Sequence, residues 1–511
     1  MTNPVTPRRR IAVLGGGISG LTAAYVLAKA RRAGAPIEEL LIEARDRLGG
    51  VIWTEQVEGF VSEAGPDSFL AEKPEAAALC RELGLGDSLL GSNDRERRTY
   101  ILHRGRLVSL PDGLMLLVPT RIWPMVTTRL LPLRSKLAMA IEWFASPPEN
   151  QTADESVSSF VRRHFGDAML ENIADPLLAG VYGGDSVALS VRSVLPRFWE
   201  MERKYGSLTR ATLRAMRQRR RADQNTVDTG CPDSAGTGAS SLRGQPLFMT
   251  LKGGLQQLTE KLAECLEESR VRLGQRVMAI EPAPPASVGA TGPAADTYRI
   301  RCEWNTTYHV DAIVLAMPAY ECSRLLAPFD PSLGELLGAI PYSSSMTVSL
   351  GYGAGTRGEL PPGFGFLVPQ KERWRMLACT FVHGKFHHRA PEGKALLRCF
   401  LGGSRDPEVL NLNDDEVVSM VQRELIEILN FTREPLFYRV CRWPSSMAQY
   451  AVGHAERVQR IQVQLERYPR LSLAGNAYSG IGISDCVRTG RAAAQRALEG
   501  LGVSRVLRAK H

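Results

Sequence analysis

The chain has 511 residues, of which 44% are apolar and 23% are charged. A chain of this length is too long to form one ordinary hydrophobic core, so we expect two or three domains. Its composition is that of a globular protein and excludes a disordered or fibrous one. Its nine cysteines include no C-x-x-C pair. This argues against a disulfide framework or a zinc site and favours a reducing compartment.

The formal net charge of +9 is concentrated in one quarter of the chain. Residues 95–221 contain 21 lysines and arginines against 12 acidic residues, and the remainder is neutral. Such an excess belongs either to solvated helix faces or to a surface that attracts an acidic ligand or an anionic membrane. No nucleic-acid motif accompanies the charge, so we predict no nucleic-acid partner. The sequence predicts neither a secretion signal nor a spanning helix.

The first predicted element is a buried strand, residues 11–14, that runs into a glycine-rich turn and then a helix. The turn reads Gly15-x-Gly17-x-x-Gly20. Gly15 permits a tight turn, Gly17 lets the backbone approach a pyrophosphate, and Gly20 lets helix and strand pack closely. The helix N-terminus adds partial positive charge. A second strand ends at Glu43, where an acid favours the unphosphorylated ribose of FAD or NAD.

The segment after that acid distinguishes the two cofactors. Arg47 and the adjacent pair Gly49-Gly50 follow it directly. Two neighbouring glycines let the backbone lie flat against a large ring system or a diphosphate. A further strand ends in Gly65-Pro66, another point of close backbone approach. Together these features exceed what a nicotinamide nucleotide needs.

The middle of the chain changes character several times. Residues 100–110 predict a hairpin that turns at Arg104-Gly105. The pattern is helical from about 111 to 206, where apolar residues alternate with single basic ones. Residues 219–246 are rich in Gly, Ser and Asp, which predicts a mobile insertion.

The carboxyl-terminal part repeats the layout of the amino terminus. Residues 340–445 are mostly strand-like, with one helix near 414–430. Residues 471–498 then give an apolar strand, a glycine turn at Gly480-x-Gly482 and a helix. A chain with two such units needs a long ligand that reaches both.

Together the first unit, "EARDRLGG", "GFVSEAGPDSF" and "LAGNAYSGIGIS" resemble the flavin-dependent amine oxidase superfamily. The resemblance implies FAD, bound by the first unit and tuned by the helix that starts near Ser484. No cysteine lies in the Gly480 turn, so the FAD is expected to be non-covalent. The implied FAD contacts are Gly15, Gly17, Ile18, Ser19, Gly20, Glu43, Ala44, Arg47, Gly49, Gly50, Gly65, Pro66, Asp67, Ser68, Val277, Gly475, Ile481, Gly482 and Ile483.

Within the superfamily the sequence is most similar to protoporphyrinogen oxidases. The motifs are "ERRTYILHRGRLVSLP", "LLAGVYGGDSVALSVRS", "LKGGLQQL" and "GFGFLVP", in the family's order. The family implies oxygen-dependent oxidation of protoporphyrinogen IX to protoporphyrin IX, releasing hydrogen peroxide. The implied substrate contacts are Arg98, Gly180, Gly183, Leu367 and Phe381. Gly180 and Gly183 would leave room for the macrocycle, Leu367 and Phe381 would sandwich it, and Arg98 or its neighbour Arg97 would hold a propionate.

No general base can be assigned, because His383, His387, His388 and His454 have no distinguishing context. The resemblance implies an α/β (α+β) fold with a discontinuous Rossmann-type FAD-binding domain, a mixed-sheet substrate domain and a helical domain that associates with a membrane. The implied boundaries are 1–92, 247–320 and 453–511 for FAD binding, 93–110 and 321–452 for substrate, 111–206 for the helical domain, and 207–246 for a helix with the insertion. The protein is expected in the cytoplasm, peripherally associated with the cytoplasmic membrane.

Other functions remain open at this point. The same family includes enzymes that act on coproporphyrinogen III, and the motifs do not decide between the substrates. Polyamine or monoamine oxidases fit less well because they lack "GVYGGD". Rab GDP-dissociation inhibitors share the fold without flavin, which makes a non-enzymatic binding protein a remote alternative. A homodimer and a chelatase that receives the product are also left open.

Overall fold

The computed structural model describes residues 8–111, 114–115, 118–119, 122–147, 153–227, 246–282 and 298–503. Most of the predicted insertion (228–245) and most of the loop at 281–296 lie outside these residues. The remaining elements form a cofactor part, a substrate sheet and a helical layer.

The cofactor part is built on a parallel sheet of five strands. In spatial order these are Val271–Arg272, Ile37–Ile42, Arg9–Leu14, Ala312–Leu315 and Leu471–Leu473. Strand Ala312–Leu315 is apolar and buried throughout, and so are residues 11–14 and 40–42 of the next two strands, as expected where both faces of a parallel sheet are covered. Helices Ile18–Arg32 and Ile483–Gly500 pack against each other and share one hydrophobic core with this sheet.

Smaller elements complete the cofactor part. Its antiparallel strands are Thr54–Val57 with Phe60–Glu63; Phe69–Leu70, Phe248–Leu251 and Leu89–Gly91; and Val277–Pro282, Tyr298–Cys302 and Thr307–Val310. Its other helices are Pro74–Glu82, Gln256–Glu264 and His454–Leu465.

The substrate sheet has seven strands and is mixed, as predicted. In spatial order they are Phe437–Ala448, Tyr342–Tyr352, Ala395–Gly402, Ala378–Phe381, Gly365–Leu367, Thr99–His103 and Arg106–Ser109. The last two strands confirm the hairpin at Arg104-Gly105. The associated helices are Ala319–Leu326, Pro331–Gly338, Val382–Lys385 and Asp414–Leu429. One face of the sheet packs in a core with helix Asp414–Leu429, which leaves the other face for the remaining parts.

The helical layer follows two short paired strands, Leu114–Met115 and Val118–Pro119. Its helices are Ile122–Thr127, Leu133–Glu142, Val157–Phe165, Asp167–Met169, Asp175–Tyr182, Val191–Val194, Pro196–Tyr205 and Leu208–Val227, with a π-helical turn at Leu170–Ala174. None of the helices in the described ranges is long and apolar enough to cross a membrane.

A buried ionic cluster holds the helical layer together. His164 lies between two carboxylates, with Nε2 at 3.0 Å from Glu202 and Nδ1 at 3.4 Å from Glu142. All three side chains are at most 5% exposed. Burial opposes charging, but hydrogen bonds to Glu142 and Glu202 outweigh it and raise the pKa of His164. Hydrogen bonds with His164, together with one from Leu208 at Glu142 and one from Arg163 at Glu202, outweigh burial and lower the pKa values of the two carboxylates.

Candidate functional site

The first glycine turn connects strand Arg9–Leu14 to helix Ile18–Arg32. Gly17 is the N-cap of the helix and has no side-chain cap, and a Cβ built on it would meet no atom within 4 Å. A Cβ built on Gly20 would lie 1.8 Å from the carbonyl oxygen of Gly15. Gly20 therefore permits close packing of helix on turn, while Gly17 leaves the helix N-terminus open to a ligand.

Glu43 closes one side of this turn. Its Oε2 accepts a hydrogen bond from the amide of Gly16 at 2.5 Å, and its Oε1 accepts one from Arg45 at 2.9 Å. The carboxylate is only half-buried and remains accessible for a ribose. The neighbouring Ala44 is exposed. Val277 is buried at the start of a strand, and its carbonyl accepts a hydrogen bond from Arg324 at 2.7 Å.

The Gly49-Gly50 pair, predicted to lie flat against a ring system or a diphosphate, packs against the first turn. The amide of Gly49 donates to the carbonyl of Gly16 at 2.9 Å, and a Cβ on Gly50 would be 3.1 Å from Cα of Gly17. Arg47 donates to the carbonyl of Gly50 at 2.8 Å and stacks on Trp53 with 4.2 Å between guanidinium carbon and ring centroid. These contacts fix a second backbone wall beside the helix N-terminus.

The Gly65-Pro66 loop is anchored by buried charges. Lys385 donates to the carboxylate of Asp67 at 3.0 Å and to the hydroxyl of Ser68 at 2.9 Å. Arg398, in the substrate sheet, donates to the carbonyl of Gly65. Burial alone would raise the pKa of Asp67, but the charges of Lys385 and Arg398 outweigh it and hold that pKa well below its ordinary value. The loop is thus locked between the cofactor part and the substrate sheet.

The carboxyl-terminal turn follows strand Leu471–Leu473. A Cβ on Gly475 would meet no atom within 4 Å, so this turn also presents open backbone. The helix that follows begins at Ile483 with Gly482 as its N-cap, close to the expected start. Unlike the first helix it carries an acid in its first turn: Asp485 accepts from the amide of Gly482 at 3.3 Å and pairs with Lys73 at 2.6 Å.

The two turns lie side by side. Their strands flank Ala312–Leu315 in the parallel sheet, so they are separated by two strand spacings, about 10 Å. Their helices meet where a Cβ on Gly490 would lie 2.3 Å from the carbonyl oxygen of Ser19. Ile18 and Ile483 are buried beneath the turns, and Ile481 is half-buried. The uncapped N-terminus of the first helix, the exposed backbone at Gly475, the carboxylate of Glu43 and the flat glycine wall fit a long dinucleotide such as FAD.

The substrate sheet presents one face toward this cradle. Directly paired residues of neighbouring strands share a face, and two rows cross the sheet on the free side. One row is Ile101, Leu367, Ala378, Phe400 and Thr347, and the next is Thr99, Gly365, Thr380, Arg398 and Ser349.

The helix Asp175–Tyr182 packs over this face, and we call the region between the two the slot. Gly180 is exposed, and a Cβ on it would lie 3.2 Å from Cδ2 of Leu367. Phe400 is half-buried in the same row and lies 4.8 Å from the guanidinium carbon of Arg398. The hydroxyl of Thr347 and the indole of Trp443 both donate to the carbonyl of Ala64, each at 2.8 Å. The slot therefore opens beside the Gly65 loop of the cradle.

Two residues expected in the slot are elsewhere. Phe381 is fully buried and packs against Phe366 on the opposite face from Leu367, so these two residues cannot sandwich a ligand. Because successive strand residues point to opposite faces, the neighbouring Thr380 lies on the face that lines the slot. Gly183 is buried at a helix end with φ of 57°, and a Cβ on it would lie 3.2 Å from Sδ of Met447. Protein atoms fill the space that was expected for the macrocycle.

Unpaired positive charge stands at one end of the slot. Arg98 precedes strand Thr99–His103, whose first residue belongs to the slot face. Arg95, Arg97 and Arg98 are exposed, and within the described ranges none of them forms an ion pair. Sequence reasoning identified the last two but missed Phe400, which an alternating strand pattern in "ALLRCFLG" could have indicated.

The buried histidines do not supply a charged catalytic group. Burial lowers the pKa values of His383, His388 and His454 to about 4 each. All three are therefore neutral near pH 7, and no general base is assigned from them.

Comparison with known proteins identifies the family. Residues 18–498 match the family described as flavin containing amine oxidoreductase. The chain belongs to this family. It is an oxidoreductase that carries FAD, which rules out the flavin-free binding protein.

Its relatives share nearly the whole chain. It is 32% identical over 493 residues to a coproporphyrinogen III oxidase of Bacillus subtilis (strain 168), covering 96% of this chain and 98% of that protein. It is 29% identical over 487 residues to the chloroplastic protoporphyrinogen oxidase 1 of Arabidopsis thaliana, covering 93% and 85%. A crystal structure from Exiguobacterium sp. 255-15 matches with a TM-score of 0.79 at 29% identity, covering 97% of this chain and 99% of that one.

Proposed function

We propose that this protein oxidises a carboxylate-bearing porphyrinogen to the corresponding porphyrin, with protoporphyrinogen IX as the expected substrate. The macrocycle loses six electrons and six protons, and three molecules of oxygen become three of hydrogen peroxide. Non-covalently bound FAD supplies the hydride-accepting and oxygen-reducing chemistry. The observation that carries the proposal is a sheet face that includes Leu367 and Phe400, borders the Gly65 loop of the flavin cradle and has exposed arginines at one end.

The slot residues are suited to a flat, apolar macrocycle with acidic arms. Leu367 and the half-buried Phe400 offer apolar surface on one side. Exposed Gly180 leaves room on the other side, where any larger side chain would press on Leu367. The arginine pair Arg97 and Arg98 can receive a propionate at the surface, because carboxylates bind guanidinium groups through charge-assisted hydrogen bonds.

Coproporphyrinogen III is the alternative substrate, and one observation favours it. Three neighbouring arginines, none paired with an acid in the described part of the chain, offer more positive charge than two propionates require. Coproporphyrinogen carries four carboxylate arms and would use them more fully. Its relative from Bacillus subtilis bears the corresponding name.

Porphyrin fluorescence in air tests the proposal, with the two porphyrinogens supplied in parallel at equal concentration to FAD-loaded protein. A preference for protoporphyrinogen supports the expected substrate, and a preference for coproporphyrinogen supports the alternative. A yellow preparation that oxidises neither substrate contradicts the proposal.

The helical layer supports a second part of the proposal, peripheral contact with the cytoplasmic membrane from the cytoplasmic side. Helix Leu133–Glu142 exposes Leu133, Leu137 and Ile141, one turn apart, by 82%, 62% and 62%. Phe144 continues this stripe with 79% exposure.

The surroundings of this stripe favour an anionic lipid surface as its partner. Arg129 and Arg134 flank it and form no ion pair among the described residues, and an amphipathic helix with basic flanks binds such surfaces. Met125, Leu130 and Leu131, apolar residues of the same helical segment, are buried and do not contribute to this stripe. Leu116, Leu117 and Arg121 lie outside the described residues.

Vesicle sedimentation tests this contact. We expect binding to vesicles containing phosphatidylglycerol, weaker binding to pure phosphatidylcholine, and at least about tenfold weaker binding for Leu137→Ser/Ile141→Ser. Val463→Ser, which changes an exposed valine on another helix, serves as the control. Unchanged binding of the double variant contradicts the assignment of this stripe.

A further inference from the structure

The buried dipeptide Gln449–Tyr450 joins the flavin turn to the slot helix. Both side chains are at most 7% exposed. The dipeptide follows the last strand of the substrate sheet and precedes helix His454–Leu465 of the cofactor part. It therefore stands where the three parts of the molecule meet.

Tyr450 connects the two ends of the carboxyl-terminal turn. Its hydroxyl donates to the carbonyl of Asn476 at 2.8 Å and accepts from the amide of Gly480 at 2.7 Å. Burial raises the pKa of Tyr450, so the hydroxyl keeps the proton that it donates. Its ring stacks on His454 with 4.1 Å between ring centroids. The hydroxyl thus fixes the shape of the segment that leads directly into the helix N-terminus at Gly482.

Gln449 connects the carboxyl end of the slot helix to the substrate sheet. Its Nε2 lies 2.8 Å from the carbonyl of Tyr182, 2.9 Å from the hydroxyl of Ser343 and 3.1 Å from the carbonyl of Met447. A Cβ on Gly184 would lie 2.2 Å from its Oε1. The third glycine of "GVYGGD", Gly184, is therefore required by this amide.

The backbone adds a third connection. The carbonyl of Tyr450 accepts from the amide of Ser190 at 2.8 Å, and the amide of Val452 donates to the carbonyl of Ala188 at 3.0 Å. The segment that follows the slot helix is thus tied to residues 450–452, next to the hydroxyl that shapes the flavin turn.

We propose that Gln449 and Tyr450 are positioning residues that fix the slot relative to the flavin turn, and so set the distance over which hydride leaves the substrate. This inference rests on the proposed function for its substrate-dependent part. Neither side chain is a catalytic residue. Tyr450 acts through the turn, and Gln449 acts through the slot helix.

Tyr450→Phe tests the turn without any substrate. The variant keeps the ring stack and loses both hydrogen bonds. We expect FAD to bind about five- to tenfold more weakly. The negative charge of reduced flavin depends most on the helix N-terminus, so the affinity for reduced flavin should fall about five- to tenfold more than the affinity for oxidised flavin. This difference would lower the midpoint potential by about 20–30 mV. A potential and an FAD affinity equal to those of the wild type overturn the role of Tyr450.

Gln449→Met tests the slot. It removes the donors at nearly constant volume, so FAD affinity and potential should stay within twofold and a few millivolts of the wild type, while kcat falls about tenfold or more because the substrate is misplaced. Ser343→Ala, which removes one acceptor, should lower kcat about two- to threefold if the first variant does not fold. A wild-type kcat in the variant that folds overturns the role of Gln449.

Matched controls are Tyr438→Phe and Gln422→Met, whose polar groups bond to Asp415 and Glu434 outside the cradle and the slot. If the wild type oxidises neither porphyrinogen, the proposed function fails, but the potential and FAD affinity of Tyr450→Phe still decide the role of the turn. The two failures can therefore be distinguished.

Discussion

The flavin cradle and the substrate slot are built from different chemistry. The cradle is mostly backbone: Gly17 and Gly475, where a Cβ would meet no atom within 4 Å, a flat wall at Gly49-Gly50 and a loop at Gly65 that no larger residue could form. The slot is mostly side chains on one face of a sheet. A backbone site fails when a glycine gains a carbon atom, whereas a side-chain site fails gradually as contacts are removed.

The two regions also differ in how they carry charge. At the cradle every buried cation near the Gly65 loop contacts a buried acid or a carbonyl. At the slot entrance three arginines form no ion pair with any residue that the structure describes. Fixed charges of the first kind position a loop, and exposed charges of the second kind remain available to attract an anionic substrate.

The largest effect is expected from Gly20→Ala, which tests the backbone nature of the cradle. The new Cβ would lie 1.8 Å from the carbonyl oxygen of Gly15, so helix and turn must separate. We expect a loss of about 3 kcal/mol in the free energy of unfolding of the apoprotein and no retained FAD. Thermal unfolding and the absorbance of purified protein measure these.

Gly17→Ala is the matched control within the same turn. A Cβ there meets no protein atom within 4 Å, and φ is −71°, which alanine adopts freely. The apoprotein should keep its melting temperature while FAD binding weakens. If Gly17→Ala lowers apoprotein stability as much as Gly20→Ala, the distinction between packing and ligand-facing glycines is incorrect.

The next largest effect concerns the helical layer that carries the slot. His164→Gln breaks a pair of buried ionic contacts, which should lower the free energy of unfolding by about 3 kcal/mol near pH 6. The effect should depend on pH, because the raised pKa of His164 contributes stability below its unfolded value near 6.5 and loses it as pH rises through the folded pKa.

The loss of stability at low pH comes from the carboxylates of the cluster and has the opposite sign. The lowered pKa values of Glu142 and Glu202 contribute stability above about 4.5, which is lost as pH falls through their folded values. Urea unfolding across pH 4 to 9 should therefore show the largest difference between wild type and variant near pH 6. A difference that is constant with pH would show that the cluster is not ionised.

The sequence predicted the cradle better than the slot because the cradle is built from backbone and the slot from side chains. Gly15, Gly20 and Gly65 are required by backbone geometry, which a short motif with correct spacing encodes locally. Slot residues depend on strand phase and on contacts across the sheet. Phe381 and Thr380 are neighbours in the sequence, but a displacement of one residue moves a side chain to the other face.

Long-range contacts explain why Gly183 does not line the slot as predicted. In the motif, Gly183 suggests that space is left for a macrocycle. Met447 and Ser343 fill that space, from strands more than 150 residues away in the sequence. No local pattern indicates such a contact. Gly180, one turn earlier, has no such neighbour besides Leu367 and remains exposed.

A medium effect is expected at the slot face itself. Phe400→Ala removes the half-buried ring and should raise KM for the porphyrinogen about tenfold, because a large apolar contact is lost. Phe381→Leu is the comparison: its ring lies in the core of the other face, so it should lower the melting temperature and leave KM within twofold. Steady-state fluorescence assays decide between them, and the reverse pattern would return Phe381 to the slot.

The smallest effect is expected at the exposed arginines, since exposed charge pairs contribute little. Replacing the arginine that holds a propionate, Arg98→Ala or Arg97→Ala, should raise KM about three- to fivefold at low salt, and the difference should shrink as added salt screens the charges. Arg95→Ala is the control for general loss of charge. If the three variants have equal, additive effects that vanish with salt, the arginines steer the substrate without holding one arm. If one variant dominates and its effect persists at high salt, a single guanidinium forms the contact, and the slot, like the cradle, then has one fixed point of attachment.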